Sequence, residues 1–286
     1  MANLKEIRNR ISSVTSTMKI TSAIKMVSAA KLKKAQDAIT AMRPYSEKLN
    51  ELMSSFSNVI SSSIISFLSL KRPVKKVLVI AVASNRGFCG AFNSNIIKKA
   101  KSLIQSERFS NAEFEFIVFG KKVNDVLVKT ENIAKNASEI FEDLTYQNVS
   151  EIVDEIIDDF AKEKYDHVEL IYNSFKNAAN QIVKSEQFLP IERNNDGEAP
   201  QNYIFEPSTE QIISELVPKS LKIQLFKSIR DSFASEHGAR MTAMHKATDN
   251  ATELKEELVL TYNKARQAAI TNEILEIVSG AEALKG

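Results

Sequence analysis

Apolar residues recur at intervals of three and four along both ends of this chain, and crowd into short continuous runs only in its middle. Leu4, Ile7, Ile11, Val14 and Met18 repeat at 3-4-3-4 spacing. That is the seam of a helix packing on another helix in a left-handed supercoil. The same register would next bring Thr21, Lys25 and Ser28 into the seam. The apolar row moves instead to Ile20, Ile24 and Val27, so the seam is expected to drift around the helix. Pro44 is expected to kink or break the helix near Arg43. The apolar, serine-rich stretch 49–70 reads as its continuation.

At the other end, residues 219–286 contain no proline, and their only glycines are Gly238, Gly280 and Gly286. Some 60 residues without strong breakers make a rod of about 90 Å if unbroken. One row runs through Leu254, Leu258, Thr261, Ala265, Ala268, Asn272 and Leu275; a second lies beside it, through Ile270, Ile274, Ile277, Ala281 and Leu284. A helix apolar around much of its girth needs a surrounding wall rather than one partner. Left exposed, Ile274 and Ile277 would each forfeit roughly 1.5–3 kcal/mol of burial. Embedded in this surface are Arg266, Gln267 and Thr271, polar groups suited to switchable hydrogen bonds with a partner. The two end helices are expected to pair antiparallel as a shaft.

Between them the period changes. Residues 74–84 (VKKVLVIAVAS), 114–120 (FEFIVFG), 167–173 (HVELIYN) and 181–190 read as strands. Helices are expected at about 94–105, at 121–129, and where Val149, Ile152, Val153, Ile156, Ile157 and Phe160 share a face. Strands alternating with helices imply a Rossmann-like, mainly parallel α/β domain covered on both faces. Residues 192–202 (ERNNDGEAPQN) form a polar loop. Ser208 caps a further helix, with Gln211 at the capping-box position, and Pro218 marks its end or a bend. The expected layout is an N-terminal shaft helix over 1–72, the α/β domain over 73–207, and a C-terminal shaft helix over 208–286. No internal repeat is visible.

Composition narrows the function. Hydrophobic residues make up 43% and charged residues 26% of 286, ordinary for a soluble chain with a core. Net charge is only +2, but residues 1–50 carry ten Lys and Arg against Glu6, Asp37 and Glu47, whereas 139–163 carry nine acids against Lys162 alone. The basic residues lie among aliphatics rather than aromatics, so bases would have no stacking platform, and no nucleic-acid partner is expected. They suit acidic loops of a protein partner. The lone Cys89 excludes an internal disulfide and fits a reducing compartment. No run approaches a membrane span, so any membrane contact is expected through partners.

Candidate chemistry is sparse. The segment SNRGFCGAFN (84–93) follows a strand and opens a helix, where amides can cradle phosphate, yet it lacks both GxGxxG and GK[ST]. It reads as a tight turn. Cys89 has no nearby His or Asp to act as base and reads as a small buried residue. His237, His245 and Asp249 fall on one helix without the HExxH pattern, and ordinary surface positions are expected for both histidines. No active site, cofactor or metal is expected. The competing reading is an α/β nucleotide-binding enzyme that dimerises through its helical hairpin.

Three blocks resemble the gamma subunits of F-type ATP synthases, and the resemblance spans essentially the whole chain. ITSAIKMVSAAKLKKAQ (20–36) is similar to the family's N-terminal block. SNRGFCGAFN resembles its loop after the first strand, with Asn85 and Phe88 where the family usually has Asp and Leu. SEHGARMTAMHKATDNA (235–251) continues into YNKARQAAITNEILEIVSGAEAL (262–284), which carries the signature Ile270, Thr271, Glu273, Glu276, Gly280, Ala281. The resemblance implies a rotor shaft without an active site. Its helices would turn inside a ring of alpha and beta subunits, its lower part would rest on the c ring and hold the epsilon subunit, and proton flow would drive ATP synthesis or the reverse. It implies that Arg266 and Gln267 hydrogen-bond a loop of beta, and that Lys25 and Met26 slide past an acidic beta segment. Lys31, Lys33, Arg240, Thr271, Glu273, Ile274 and Ile277 are further expected coupling contacts. With Cys89 alone, the thiol regulation of chloroplast relatives is not expected. The absence of a transit peptide implies a bacterial protein, peripheral on the cytoplasmic face of the inner membrane.

Overall fold

Val77 to Val82 are all buried, because both faces of the strand that carries them are covered. In the computed structural model, which describes residues 4–55, 66–191, 206 and 208–283, this is β1 (Lys76–Val82), the central strand of a five-stranded sheet. The order of elements is α1 (Leu4–Ser55), β1, α2 (Phe92–Ile104), β2 (Glu113–Phe119), α3 (Lys121–Leu127), β3 (Asn132–Asn136), α4 (Tyr146–Ala161), β4 (His167–Phe175), β5 (Gln181–Leu189) and α5 (Thr209–Ala283). Two compact units result: Ala29–Arg240, and Met1–Ser28 with Met241–Gly286.

The larger unit holds the sheet, in the order β3-β2-β1-β4-β5, parallel except for the antiparallel edge pair β4–β5. The alternation of side chains splits its core in two. Leu78, Ile80 and Val82 face a layer built from Val153, Ile156 and Phe160 of α4 and Leu221, Leu225 and Ile229 of α5. Val77, Val79 and Ala81 face Ile96 and Ala100 of α2 and Val123 and Leu127 of α3. Thr145 caps α4 by accepting from the Asn148 amide at 3.3 Å.

Five sequence expectations need correction in these elements and a sixth in the helix pair below; for the two prolines it is the break alone, not a kink or bend, that is overturned. Pro44 does not break α1, nor Pro218 α5; each lies inside its helix. The carbonyls they orphan belong to Thr40 and Ser214, both exposed to water. Burial of Ile213, Val217, Leu221, Leu225 and Ile229, roughly 1.5–3 kcal/mol each, outweighs the ~3 kcal/mol that an interior proline costs. Ile39 and Leu49 are likewise buried on either side of Pro44. Third, β3 went unrecognised, because NIAKN holds one large apolar residue and pairs along one side only. Fourth, the helical reading of 49–70 fails at Ser66–Ser69, a single 3₁₀ turn, while 56–65 and the 192–202 loop lie outside the described residues. Fifth, His237 is buried, not on the surface. The cap at Ser208 is present, accepting from the Gln211 amide at 3.3 Å.

In the smaller unit α1 and α5 run antiparallel. Arg8 donates to the Tyr262 hydroxyl at 2.7 Å and lies over its ring; the Thr21 and Thr248 hydroxyls are 2.8 Å apart; Thr252 donates to the Met18 sulfur at 3.4 Å. The seam does not drift. Thr21 and Ser28 are buried, while Ile20 and Val27 are exposed, so the original register persists with hydroxyls in place of apolar knobs. Short side chains allow close approach, and the Thr21–Thr248 contact satisfies the polar groups it encloses.

Two stability predictions follow from the larger unit. A methyl group on Gly120, at φ 120°, would come within 2.9 Å of the Ala83 and Ser84 backbone. Gly120→Ala should therefore destabilise the chain by about 2 kcal/mol or more in urea unfolding. Burial alone would raise the Glu169 carboxyl, but hydrogen bonds from His167 (2.8 Å) and Ser185 (2.7 Å), with the charges of His167 and Arg108, hold it below its usual value. Such a carboxyl stabilises the fold above its unfolded pKa and loses that contribution as pH falls through its folded one. Glu169→Gln should be less stable than the parent at pH 7, and unfolding midpoints measured below about pH 4.5 should converge.

Candidate coupling surface

The contacts 8–262, 18–252 and 21–248 have residue numbers that sum to 269 or 270. On that register Leu4, the first described residue of α1, falls opposite Arg266. From Arg266 to Ala283 every residue of α5 is exposed. The stripe that asked for a wall has none here: Ile274 is 55% and Ile277 65% exposed, with Ile270, Leu275 and Val278 close behind. Within it, Thr271 donates to the Gln267 carbonyl at 2.9 Å, an ordinary back-bond to its own helix. The Arg266 and Gln267 side chains have no partner among the described residues. Glu273 is exposed beside Ile274.

On α1, Met26 is 63% exposed and Lys25 half-buried. Because the seam keeps its register, Ile20, Met26 and Val27 are left facing outward as a second apolar surface. The apolar pattern alone places Ile20 and Val27 in the seam, but the small hydroxyl residues Thr21 and Ser28 fit there instead.

In the larger unit Lys31 and Lys33 are exposed, with Lys33 paired to Asp37 at 2.9 Å. Arg240 is different. It is 6% exposed and fully engaged inside the chain: Nε donates to the Gly87 carbonyl (3.1 Å), Nη2 to that of Arg86 (3.0 Å), and Nη1 meets Glu236 (2.7 Å) and His237 Nδ1 (3.3 Å). Burial raises the Glu236 carboxyl, against the opposing charges of Arg240, Lys31 and Arg86. Burial, with the charges of Arg240 and Lys31, pushes His237 down to about 3, so it stays neutral at physiological pH. The Glu236–Arg240 spacing of four was the one signal in the sequence that these residues form a pair.

The 84–93 turn that Arg240 holds is also tied internally. Asn93 donates to Ser84 Oγ (2.8 Å) and to the buried Cys89 sulfur (3.3 Å), and Ser84 donates to the Arg86 carbonyl (2.7 Å). Asn85 bridges the Lys121 amide and the Ser138 carbonyl. Burial pushes the Cys89 thiol up, which disfavours a reactive thiolate.

In open α/β sheets ligands bind beyond the carboxyl ends of the strands, where strand order reverses, here between β1 and β4. That place is taken by α5. Ser232 points at the Val82 carbonyl (3.5 Å) and Ser235 donates to that of Asn173 (3.1 Å). Gly238 lets the β4–β5 turn approach: a Cβ there would lie 3.2 Å from Ala178. Among the described residues no group of three His, Cys, Asp or Glu is arranged to hold a metal, and no helix is long and apolar enough to cross a membrane.

Residues 3–284 match the family model described as ATP synthase. The ATP synthase gamma chain of Flavobacterium psychrophilum is 61% identical over the full length of both chains, and that of Cytophaga hutchinsonii 47% identical over 99% of each. In fold, the chain is similar to one in the Euglena gracilis mitochondrial ATP synthase (OSCP/F1/c-ring, rotational state 3). The TM-score is 0.71 at 19% identity, covering 98% of this chain and 94% of that one. A chain of the Tetrahymena thermophila ATP synthase central stalk and c-ring gives 0.58 at 24% identity, over 80% of this chain and 99% of that one. The chain belongs to the ATP synthase gamma-chain family.

Proposed function

We propose that this chain is the central rotor shaft of an F-type ATP synthase, coupling proton-driven rotation of a c ring to conformational cycling of three catalytic beta subunits, or running in reverse. The observation that carries this reading is the exposed apolar surface of α5 beyond Arg266 in a chain of this family. A row of large aliphatics left in water invites association. A sleeve of alpha and beta subunits would bury it, and an asymmetric helix turning inside such a sleeve presents a different face to each beta subunit in turn. Differential contact of that kind is what allows a shaft to bias conformational states.

In this reading Arg266 and Gln267, whose side chains have no partner among the described residues, hydrogen-bond a beta loop, with Thr271, Glu273, Ile274 and Ile277 on the same exposed section. Lys25, Met26, Lys31 and Lys33 face acidic beta segments; the epsilon subunit and the c ring are the remaining partners. Arg240, buried against the 84–93 turn, acts inside the larger unit and not as a direct partner contact. The chain has no active site of its own, and it is peripheral on the cytoplasmic face of a bacterial inner membrane. The nucleotide-enzyme alternative is disfavoured because α5 fills the place where a nucleotide would bind.

Arg266→Ala with Gln267→Ala should leave the isolated chain folded, since both positions are exposed and alanine favours helix. The double variant should lower ATP-driven proton pumping of the reconstituted complex by about tenfold, equivalent to ~1.4 kcal/mol of lost coupling contact. Undiminished coupled synthesis would sink the proposed contact. Amides of 270–283 should exchange at least about a hundredfold more slowly in the assembled complex than in the free chain. Equal rates would show that no sleeve covers them.

A further inference from the structure

Phe88 lies on the 84–93 turn with φ 62°, a left-handed conformation that costs a bulky residue energy, and the residue is 72% exposed. Neither burial of that ring nor glycine-like freedom keeps it there. Immediately before it come two successive carbonyls, of Arg86 and Gly87, and both accept from the single buried guanidinium of Arg240. The guanidinium is in turn fixed by Glu236, one turn back on α5. We propose that Arg240 is a positioning residue: its planar fork latches the 84–93 turn to α5, so that load reaching the turn passes into the helix through these side-chain bonds.

Several features fit a latch rather than a simple buried ion pair. A pair alone would need one carboxylate; here the fork spends two further arms on backbone carbonyls of a distant segment, 153 and 154 residues away in sequence. The far side of the turn is held separately, through Asn85 to the Lys121 amide (3.0 Å) and the Ser138 carbonyl (2.9 Å). The turn is thus gripped between the sheet end and the helix. Lysine would retain a charge for Glu236, but a single ammonium on a flexible stem does not reproduce the planar fork. The thiol of Cys89, the sole cysteine, is 2% exposed within the turn and reports its opening.

The test is the rate at which Cys89 in the full chain reacts with a neutral thiol reagent. Arg240→Lys should raise that rate by about tenfold or more at an unchanged far-ultraviolet spectrum. Adding Phe88→Asn, which tolerates the left-handed conformation, should restore part of the protection. A change that only disturbed the buried charge would not be rescued this way. An unaltered rate in Arg240→Lys, or no rescue by Phe88→Asn, overturns the latch. If Arg240→Lys does not fold, amide exchange in the unsubstituted chain decides. Phe88 and Cys89 amides should exchange no more than about tenfold faster than those of 236–240, and a hundredfold excess overturns the latch. The role in passing load to α5 rests on the rotor reading. In the assembled complex Arg240→Lys should pump protons less per ATP hydrolysed, and full coupling despite an opened turn would overturn that role. Failure of the rotor reading itself shows separately, as failure of the unsubstituted chain to join alpha and beta subunits.

Discussion

The constraint on which the larger unit depends is that a polar section of α5 has to be buried. Residues 232–240, SFASEHGAR, include Ser232, Ser235, Glu236, His237 and Arg240, all below a tenth exposed. Buried groups of this kind are tolerated only when paired, since an orphaned charge costs several kcal/mol. Ser232 and Ser235 reach backbone carbonyls of β1 and β4 and Arg240 those of the first turn after β1, all distant in sequence, while Glu236 and His237 Nδ1 meet Arg240 within α5, and Gly238 allows close approach by the β4–β5 turn. The helix is thereby fixed against the sheet in one rotation and one register. Apolar packing alone, which tolerates sliding and repacking, would specify that less sharply.

The remainder of the same helix inverts the rule. Its polar middle is enclosed, whereas its apolar end, with Ile270, Ile274, Leu275 and Ile277, faces water. In the smaller unit even the contact between α1 and α5 is lean, with Ile7, Thr21, Ser28, Met244 and Ala251 as its buried residues. Hydroxyls at Thr21 and Thr248 stand where a permanent coiled coil would place leucine or isoleucine. This section is better built to be enclosed than to stand alone.

Much of the fold was legible because its signals are local. The apolar run 77–82 of β1, the amphipathic α4 and the cap at Ser208 each follow from periodicity or turn chemistry within a few residues. What was not legible required knowing the neighbours. Pro44 and Pro218 look like breaks until the exposure of Thr40 and Ser214 and the burial on either side are known. His237 looks like a surface histidine until its burial beside Phe233 and Arg240 is known. Strand β3 carries too little apolar content to announce itself and exists because β2 offers it an edge. Among the candidate coupling residues, the exposed stripe was readable from its excess of aliphatics, whereas the internal role of Arg240 was not, because its acceptors are backbone carbonyls with no sequence signature.

That contrast bears on how a rotating shaft can be both stiff and smooth. Smoothness favours contacts that are individually weak and replaceable: aliphatic side chains and exposed polar groups such as Arg266 and Gln267 exchange partners without leaving a buried charge unpaired. Stiffness needs the opposite, contacts whose loss is costly, so that torque is not dissipated by local rearrangement. The enclosed Glu236–Arg240 pair and the carbonyls it reaches are of the second kind, and the 266–283 surface is of the first. Placing both kinds on one continuous helix, with the costly bonds inside the body and the replaceable ones at the exposed end, separates holding from sliding along a single element. On the proposed rotor reading, a substitution that moved a buried charge into the exposed section, or an aliphatic into the place of Arg240, would therefore be expected to fail for opposite reasons: the first by gripping whatever encloses the shaft, the second by letting the body yield.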